Sequence, residues 1–178
     1  MGDHPGHARR PPKGHLYFRP CTPNDAEMVF DVFQKSPTYF ERVDGCIPTL
    51  QMAQVALIDA PKKTCAKYFK HFLTVHLDND VVGVVDLHPH HPEEGICYFG
   101  LLLIKEDLFG QGLGTKCFQL AEDYVRRALG CQKIRLGVSD ENDVTAFWQK
   151  MGFIPNGKTY EWKGEDKTST VREFDKIL

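Results

Sequence analysis

The sequence predicts one α/β domain: a mixed sheet of about seven strands flanked by helices. Three observations predict it. Three strand-like runs follow one another directly between residues 68 and 104. A glycine-rich junction at residues 110–114 joins the last of them to the longest amphipathic helix, and the chain closes on two strand-like runs around Gly164-Glu165-Asp166-Lys167. The element order reads βαα-βββ-αβ-αββ, without an internal repeat.

Residues 1–14 carry three basic residues, one acidic residue and three prolines with no apolar periodicity, and read as a disordered tail. The domain is expected to span residues 15–178. Residues 15–19 read as a short strand stopped by Pro20. Thr22-Pro23-Asn24-Asp25 is a helix start, with a capping threonine and a proline suited to the first turn. That helix should run to about Lys35, with Met28, Val29, Val32 and Phe33 at helical spacing, and stop at Ser36-Pro37. A second short helix is expected over residues 49–59, closed by Pro61. Residues 68–77 alternate up to the turn Asp78-Asn79-Asp80, residues 81–87 form a β-branched run buried on both faces, and residues 96–104 are nearly all apolar. The polar loop 88–94 links the last two, so the three form an antiparallel meander. Residues 114–129 place Cys117, Phe118, Ala121, Tyr124 and Val125 on one helical face. Glu122 with Arg126 and Asp123 with Arg127 add acid-before-base pairs on the other, and Gly130 follows as a stop. A strand over 133–138, a helix over 143–151 ended by Gly152, and a hairpin of 153–162 with 170–178 complete the chain.

A chain of 178 residues buries a core of its own without staples. Lys plus Arg is 22 and Asp plus Glu is 24, a net charge of -2, which lacks the basic footprint of a nucleic-acid binder. No apolar run approaches the ~20 residues that cross a bilayer, and residues 1–14 are polar with no apolar h-region, so secretion is not expected. Cys21, Cys46, Cys65, Cys97, Cys117 and Cys131 include no Cys-x-x-Cys pair, and are expected to be reduced thiols in a cytoplasmic protein.

The segment Phe109-Gly110-Gln111-Gly112-Leu113-Gly114-Thr115 stands between an apolar strand and the best helix. Glycines there let backbone N–H groups approach an anion at a helix start. The spacing fits neither a P-loop nor the Gly-x-Gly-x-x-Gly dinucleotide fingerprint. A tight strand-to-helix turn is the plain alternative.

The order of strand, Gly-Gln-Gly-Leu-Gly-Thr and amphipathic helix resembles the coenzyme A pyrophosphate loop of the GNAT acetyltransferase superfamily. Lys133-Ile-Arg-Leu-Gly-Val138, then Asn142 and Phe147-Trp-Gln-Lys-Met-Gly-Phe153, is similar to its second block, and Phe18-Arg19-Pro20 with Thr22 and Asp25 to its opening strand and helix. The resemblance covers residues 15–178 and implies a mostly antiparallel central sheet and acetyl-CoA as co-substrate. It places the cofactor on Leu102, Leu103, Ile104, Gly110, Gln111, Gly112, Leu113, Gly114, Thr115, Asn142 and Trp148. A splayed strand at 102–104 would present backbone groups to the pantetheine arm, with the Leu103 amide on the thioester carbonyl. Two positions depart from the family pattern. Phe109 stands where Gln or Arg usually opens the loop, and Trp148 stands where many members carry a tyrosine that protonates the thiolate. Indole cannot serve as an acid at neutral pH, but a thiol of pKa ~8.5 leaves tolerably unaided.

For the base that an amine acceptor needs, Asp86 is the first candidate, since it interrupts an apolar strand and a buried carboxylate requires a partner or a task. A hydrogen-bonded structural role is the alternative. His88 is second, in a loop His88-Pro-His-His91 read as exposed. Tyr39, Phe40 and Glu41 fall where the superfamily lines its acceptor pocket, with core packing as the alternative for the two aromatics. Glu41 and Asp44 would attract a cationic amine, or form a solvated acidic loop. No cysteine sits in a nucleophile setting, which points to direct transfer in a ternary complex. The expected activity is acetyl transfer from acetyl-CoA to a primary amine, with no metal, nucleic acid or membrane involved and a homodimer left open. Its rivals are a non-catalytic acyl-CoA-binding or sensing domain and a metal site on the histidine loop.

Overall fold

The computed structural model describes residues 13–59, 61 and 68–178. Residues 1–12 of the expected tail, and Cys65, lie outside the described residues. Seven strands form one sheet: β1 (Leu16–Pro20), β2 (His71–Leu77), β3 (Asp80–Pro89), β4 (Ile96–Ile104), β5 (Lys133–Ser139), β6 (Ile154–Lys163) and β7 (Thr168–Ile177). Their order is β1-β2-β3-β4-β5-β7-β6. All neighbours are antiparallel except β4 and β5. A parallel pair needs a crossover, which the helix α4 (Leu113–Arg127) supplies.

Helix α1 (Ala26–Gln34) follows a one-turn 3-10 segment whose start is capped as the sequence indicates: Thr22 donates its N–H to Asp25 Oδ2 (2.8 Å), and Asp25 donates its own to the Thr22 carbonyl (3.0 Å). The first of these bonds is the main reason the Asp25 carboxyl lies below its usual range. Ser36-Pro37 follows the end of α1, as expected, and does more than end it. It opens a further helix, α2 (Pro37–Val43), because proline in a first turn forgoes an N–H that would have no partner anyway. The helix α3 (Leu50–Ile58) and the short α5 (Thr145–Lys150) fall within the expected ranges. On α4, Arg126 and Arg127 both turn to Asp123, and Glu122 pairs with Lys176 of β7 rather than with Arg126.

Each sheet face carries its own core. One, under α4 and α5, includes Leu87, Phe99, Phe118, Leu136, Phe153 and Phe174. The other, under α1 to α3, includes Val29, Phe33, Phe40, Phe72, Val84 and Leu103.

Two irregularities prepare the site. The β4–β5 pairing runs from Ile96 with Lys133 to Phe99 with Leu136 and stops there. Beyond that point β4 continues against β3 and β5 against β7, so the strands part from Gly100 and Gly137 onward. On the β3 side, Asp86 lies opposite Leu101 and Leu87 opposite Phe99, which makes Gly100 the extra residue of a bulge.

Candidate active site

The parting of β4 from β5 opens a cleft of about 1060 Å³, lined at one end by Gly110, Gly112, Leu113, Gly114 and Thr115 and at the other by Tyr39, Asp86 and His88. Gly110 (φ +75°) and Gly112 (φ +74°) hold left-handed backbone, which costs other residues ~1–2 kcal/mol. No atom lies within 4 Å of a Cβ built on either, so the space above the loop is open. Gly112 starts α4 without a side-chain cap. The N–H groups of Leu113, Gly114 and Thr115 therefore have no intrahelical acceptor and present positive partial charge. Glu106 ties the loop's approach to α2: its carboxylate accepts from the Thr38 N–H (2.7 Å) and hydroxyl (3.0 Å). An anion of pyrophosphate type fits this cradle.

Strand parity decides which β4 amides reach the cleft. Lys105 donates its N–H to the Val82 carbonyl (3.0 Å), so by alternation Leu103 is in a hydrogen-bonded pair with Val84. The Leu103 amide therefore faces β3, contrary to the role the resemblance implied for it. The amide of Leu102 faces the open seam instead.

Asp86 and His88, two apart on β3, point to the same sheet face. Asp86 Oδ2 accepts from Lys70 Nζ (2.9 Å) and lies 3.1 Å from His88 Nε2, whereas its Oδ1 is buried without a hydrogen-bond partner among the described residues. Lys70 also donates to the Asp59 carbonyl (2.8 Å), and the Tyr68 hydroxyl lies 2.6 Å from His88 Nδ1. Gly100 makes room for the pair, since a Cβ there would stand 2.8 Å from His88 Nε2. His88 is not on an exposed loop, as its sequence context suggested. β3 extends to Pro89, and the residue is only 7% exposed.

The acceptor-side expectations divide. Tyr39 lines the cleft with its neighbours Thr38 and Arg42, and burial pushes its phenol far up. Phe40 turns into the second core, 4.7 Å from the Phe33 ring between centroids, and Glu41 is exposed to solvent off the cleft. Helical geometry explains this: residues 38, 39 and 42 share one side of α2, and 40 lies on the other. Asp44 is buried rather than solvated and accepts from Trp162 Nε1 (3.2 Å), while burial raises its carboxyl. Asn142 and Trp148 both line the cleft; Gln111 does not. Trp148 packs edge-on against Phe118, Phe147 and Phe153, and is one wall of the core as much as of the cleft. Lys70, Tyr98, Gly100 and Tyr160 were not singled out by the sequence reading. Only Gly100 carried a signal, a glycine inside an apolar strand.

Among the described residues no group of three His, Cys, Asp or Glu side chains is placed to hold a metal ion, and no helix is long and apolar enough to cross a membrane.

The chain is similar to known proteins in sequence and in fold. Residues 35–153 match the model of the acetyltransferase (GNAT) family. N-alpha-acetyltransferase 30 of Schizosaccharomyces pombe is 30% identical over 122 residues, covering 63% of this chain and 79% of that protein. An acetyltransferase from Thermus thermophilus superposes with a TM-score of 0.70 at 26% identity, covering 92% of this chain and 97% of the other. Spermidine N-acetyltransferase from Vibrio cholerae, solved with CoA and spermine, shares the fold with a TM-score of 0.66 at 16% identity over 91% and 95% of the two chains. Family membership does not favour the non-catalytic reading. The chain belongs to the acetyltransferase (GNAT) family, and is an acetyl-CoA-dependent acyltransferase.

Proposed function

We propose that the chain transfers an acetyl group from acetyl-CoA to a primary amine by direct attack in a ternary complex, with Asp86 as the base. The pyrophosphate would rest on the backbone of residues 110–115, with the pantetheine arm along Leu102 to Ile104 and beside Asn142. The Leu102 amide would polarise the thioester carbonyl. As the amine nitrogen bonds to the carbonyl carbon, its proton passes to the Asp86 carboxylate. The carbon–sulfur bond then breaks, and the thiolate leaves as coenzyme A and takes its proton from solvent. The observation that carries this reading is a single one: the strand whose amide edge is open toward the seam is paired, at Leu101, with the residue whose carboxylate oxygen Oδ1 has no partner among the described residues.

Direct transfer is supported by the absence of any cysteine from the cleft lining among the described residues, and by burial pushing the Cys117 thiol up to about 12. A primary amine is supported by the relatives, one named for N-alpha acetylation and one solved with spermine. Free thiols at Cys21, Cys46, Cys97, Cys117 and Cys131 suit a cytoplasmic setting.

The test is thiol release from acetyl-CoA with spermidine, glycinamide, Nα-acetyl-lysine amide and a tetrapeptide with a free amino terminus, each product checked by mass. At least one should turn over, and Asp86→Asn should bind acetyl-CoA normally while losing ~10²-fold or more in kcat/KM. Tight acetyl-CoA binding with no amine acetylated would overturn the reading.

A further inference from the structure

The Asp86 carboxylate is gripped unequally. Lys70 Nζ and His88 Nε2 both converge on Oδ2, at 2.9 and 3.1 Å, and Oδ1 has no partner among the described residues. We propose that Tyr68, His88 and Lys70 are positioning residues that lock the Asp86 carboxylate by one oxygen so that the other is presented to the acceptor amine. The proposal rests on the reading of Asp86 as the base.

The donor and acceptor inventory sets the role this proposal gives each member. An ionised carboxylate only accepts, so the His88 nitrogen facing it, Nε2, carries a hydrogen. In the neutral ring Nδ1 is then an acceptor, and the Tyr68 hydroxyl at 2.6 Å is its donor. Burial pushes that phenol up to about 12, so it keeps its hydrogen at any physiological pH. The chain Tyr68 O–H to His88 Nδ1, and His88 Nε2–H to Asp86 Oδ2, runs in one direction and sets one tautomer.

The rings are held as well as bonded. His88 stacks on Tyr68 with centroids 5.8 Å apart at 15°, and meets His91 edge-on. On the other flank, Lys70 is pinned by the Asp59 carbonyl and lies over the Phe72 ring. A Cβ on Gly100 would collide with the His88–Asp86 bridge, so the bulge residue is the one side chain that β4 must omit there. A carboxylate without these donors could turn about its own axis and exchange its two oxygens. Fixed, it offers one oxygen in one direction, which is the condition for proton removal in a near-attack geometry.

A residue that merely fills space and a residue that positions the base differ in three measurable ways. With acetyl-CoA and the fastest amine of the panel above, His88→Leu should lower kcat at least tenfold at unchanged acetyl-CoA affinity. His88→Gln, whose amide N–H reaches toward the same oxygen, should restore most of it. Nitrogen NMR of the histidine-labelled parent above neutral pH should show His88 as the Nε2–H tautomer, and Tyr68→Phe should mix the two tautomers. An Nδ1–H or doubly protonated ring in the parent overturns the proposal. So does parental kcat in His88→Leu while Asp86→Asn is inactive, an outcome that leaves Asp86 as the base. Should Asp86→Asn also retain parental kcat, the base reading falls and the positioning role with it. If His88→Leu fails to fold, His88→Gln and the tautomer decide: a Gln variant as inactive as Asp86→Asn overturns the proposal.

Discussion

The Tyr160 hydroxyl on the edge strand β6 lies 2.7 Å from the Tyr98 hydroxyl on β4, although β5 and β7 stand between those strands in the sheet. Gly137 permits the meeting, because a Cβ there would stand 2.7 Å from one hydroxyl and 3.0 Å from the other. It is also the first residue of β5 beyond the pairing with β4, so the two phenols close the narrow end of the seam. Burial raises both phenols, Tyr98 far beyond its usual range, so both keep their hydrogens near neutral pH.

Breaking that pair should loosen the sheet. Gly137→Ala is expected to cost ~1–3 kcal/mol, as overpacking does. Tyr160→Phe should cost about 1 kcal/mol for the lost hydrogen bond. Urea unfolding measures both, and two unchanged midpoints would mean that the bond contributes nothing to the fold.

The glycine loop should control cofactor affinity separately from folding. Gly112→Gln sets a side chain on left-handed backbone in the open space above the loop. The variant should keep its circular dichroism and lose acetyl-CoA binding in calorimetry. Parental affinity in a folded variant would take the loop out of the binding site.

Trp148 should be dispensable for chemistry and useful for packing. Its ring is 8% exposed and lies 5.7 Å from Phe118 and 5.3 Å from Phe153 between centroids. Trp148→Phe should retain most of kcat at a stability cost of about 1–2 kcal/mol. Trp148→Tyr should not raise kcat tenfold; a larger gain would show that protonation of the leaving thiolate limits turnover.

The pair Arg135 and Asp175 should shape stability in acid. Arg135 donates to both carboxylate oxygens of Asp175 (2.7 and 2.8 Å), and these bonds hold the Asp175 carboxyl below its usual range. A carboxyl depressed in the folded state contributes stability above its unfolded pKa of about 3.9, which is lost as pH falls through the lower folded value. Asp175→Asn should cost about 2 kcal/mol near neutrality, because it takes the bidentate partner from an Arg135 that is 6% exposed and leaves it the more distant Glu173 carboxylate at 3.8 Å. Its urea midpoint should also fall less steeply than the parent's below pH ~4. Equal slopes would exclude the pair as a source of acid sensitivity.

Much of the scaffold was legible because its signals are local. The run from Ile96 to Ile104, the helix bearing Phe118 and the closing hairpin each announce themselves by composition and period. The glycines at 110 and 112 announce a backbone that other residues resist. The site was less legible because its contacts are not local. His88 continues the alternation from Asp86, but a proline and two more histidines follow it and disguise the strand. Lys70 and Tyr68 stand outside any strand and meet Asp86 and His88 only through the β2–β3 pairing. The exchange of Leu103 for Leu102 at the seam follows from which β4 residues pair with β3, and no single strand records its own register.

The bond from Trp162 to Asp44 has an optical consequence. The chain holds two tryptophans, Trp148 and Trp162. The first is enclosed in an aromatic cluster beside the glycine loop, and the second is 43% exposed at the far wall of the same cleft. Their emission should therefore separate into a blue component shielded from iodide and a red component quenched by it. Under the function proposed above, coenzyme titrations would be read in the first and amine titrations in the second, so the unlabelled protein would carry a separate fluorophore for each.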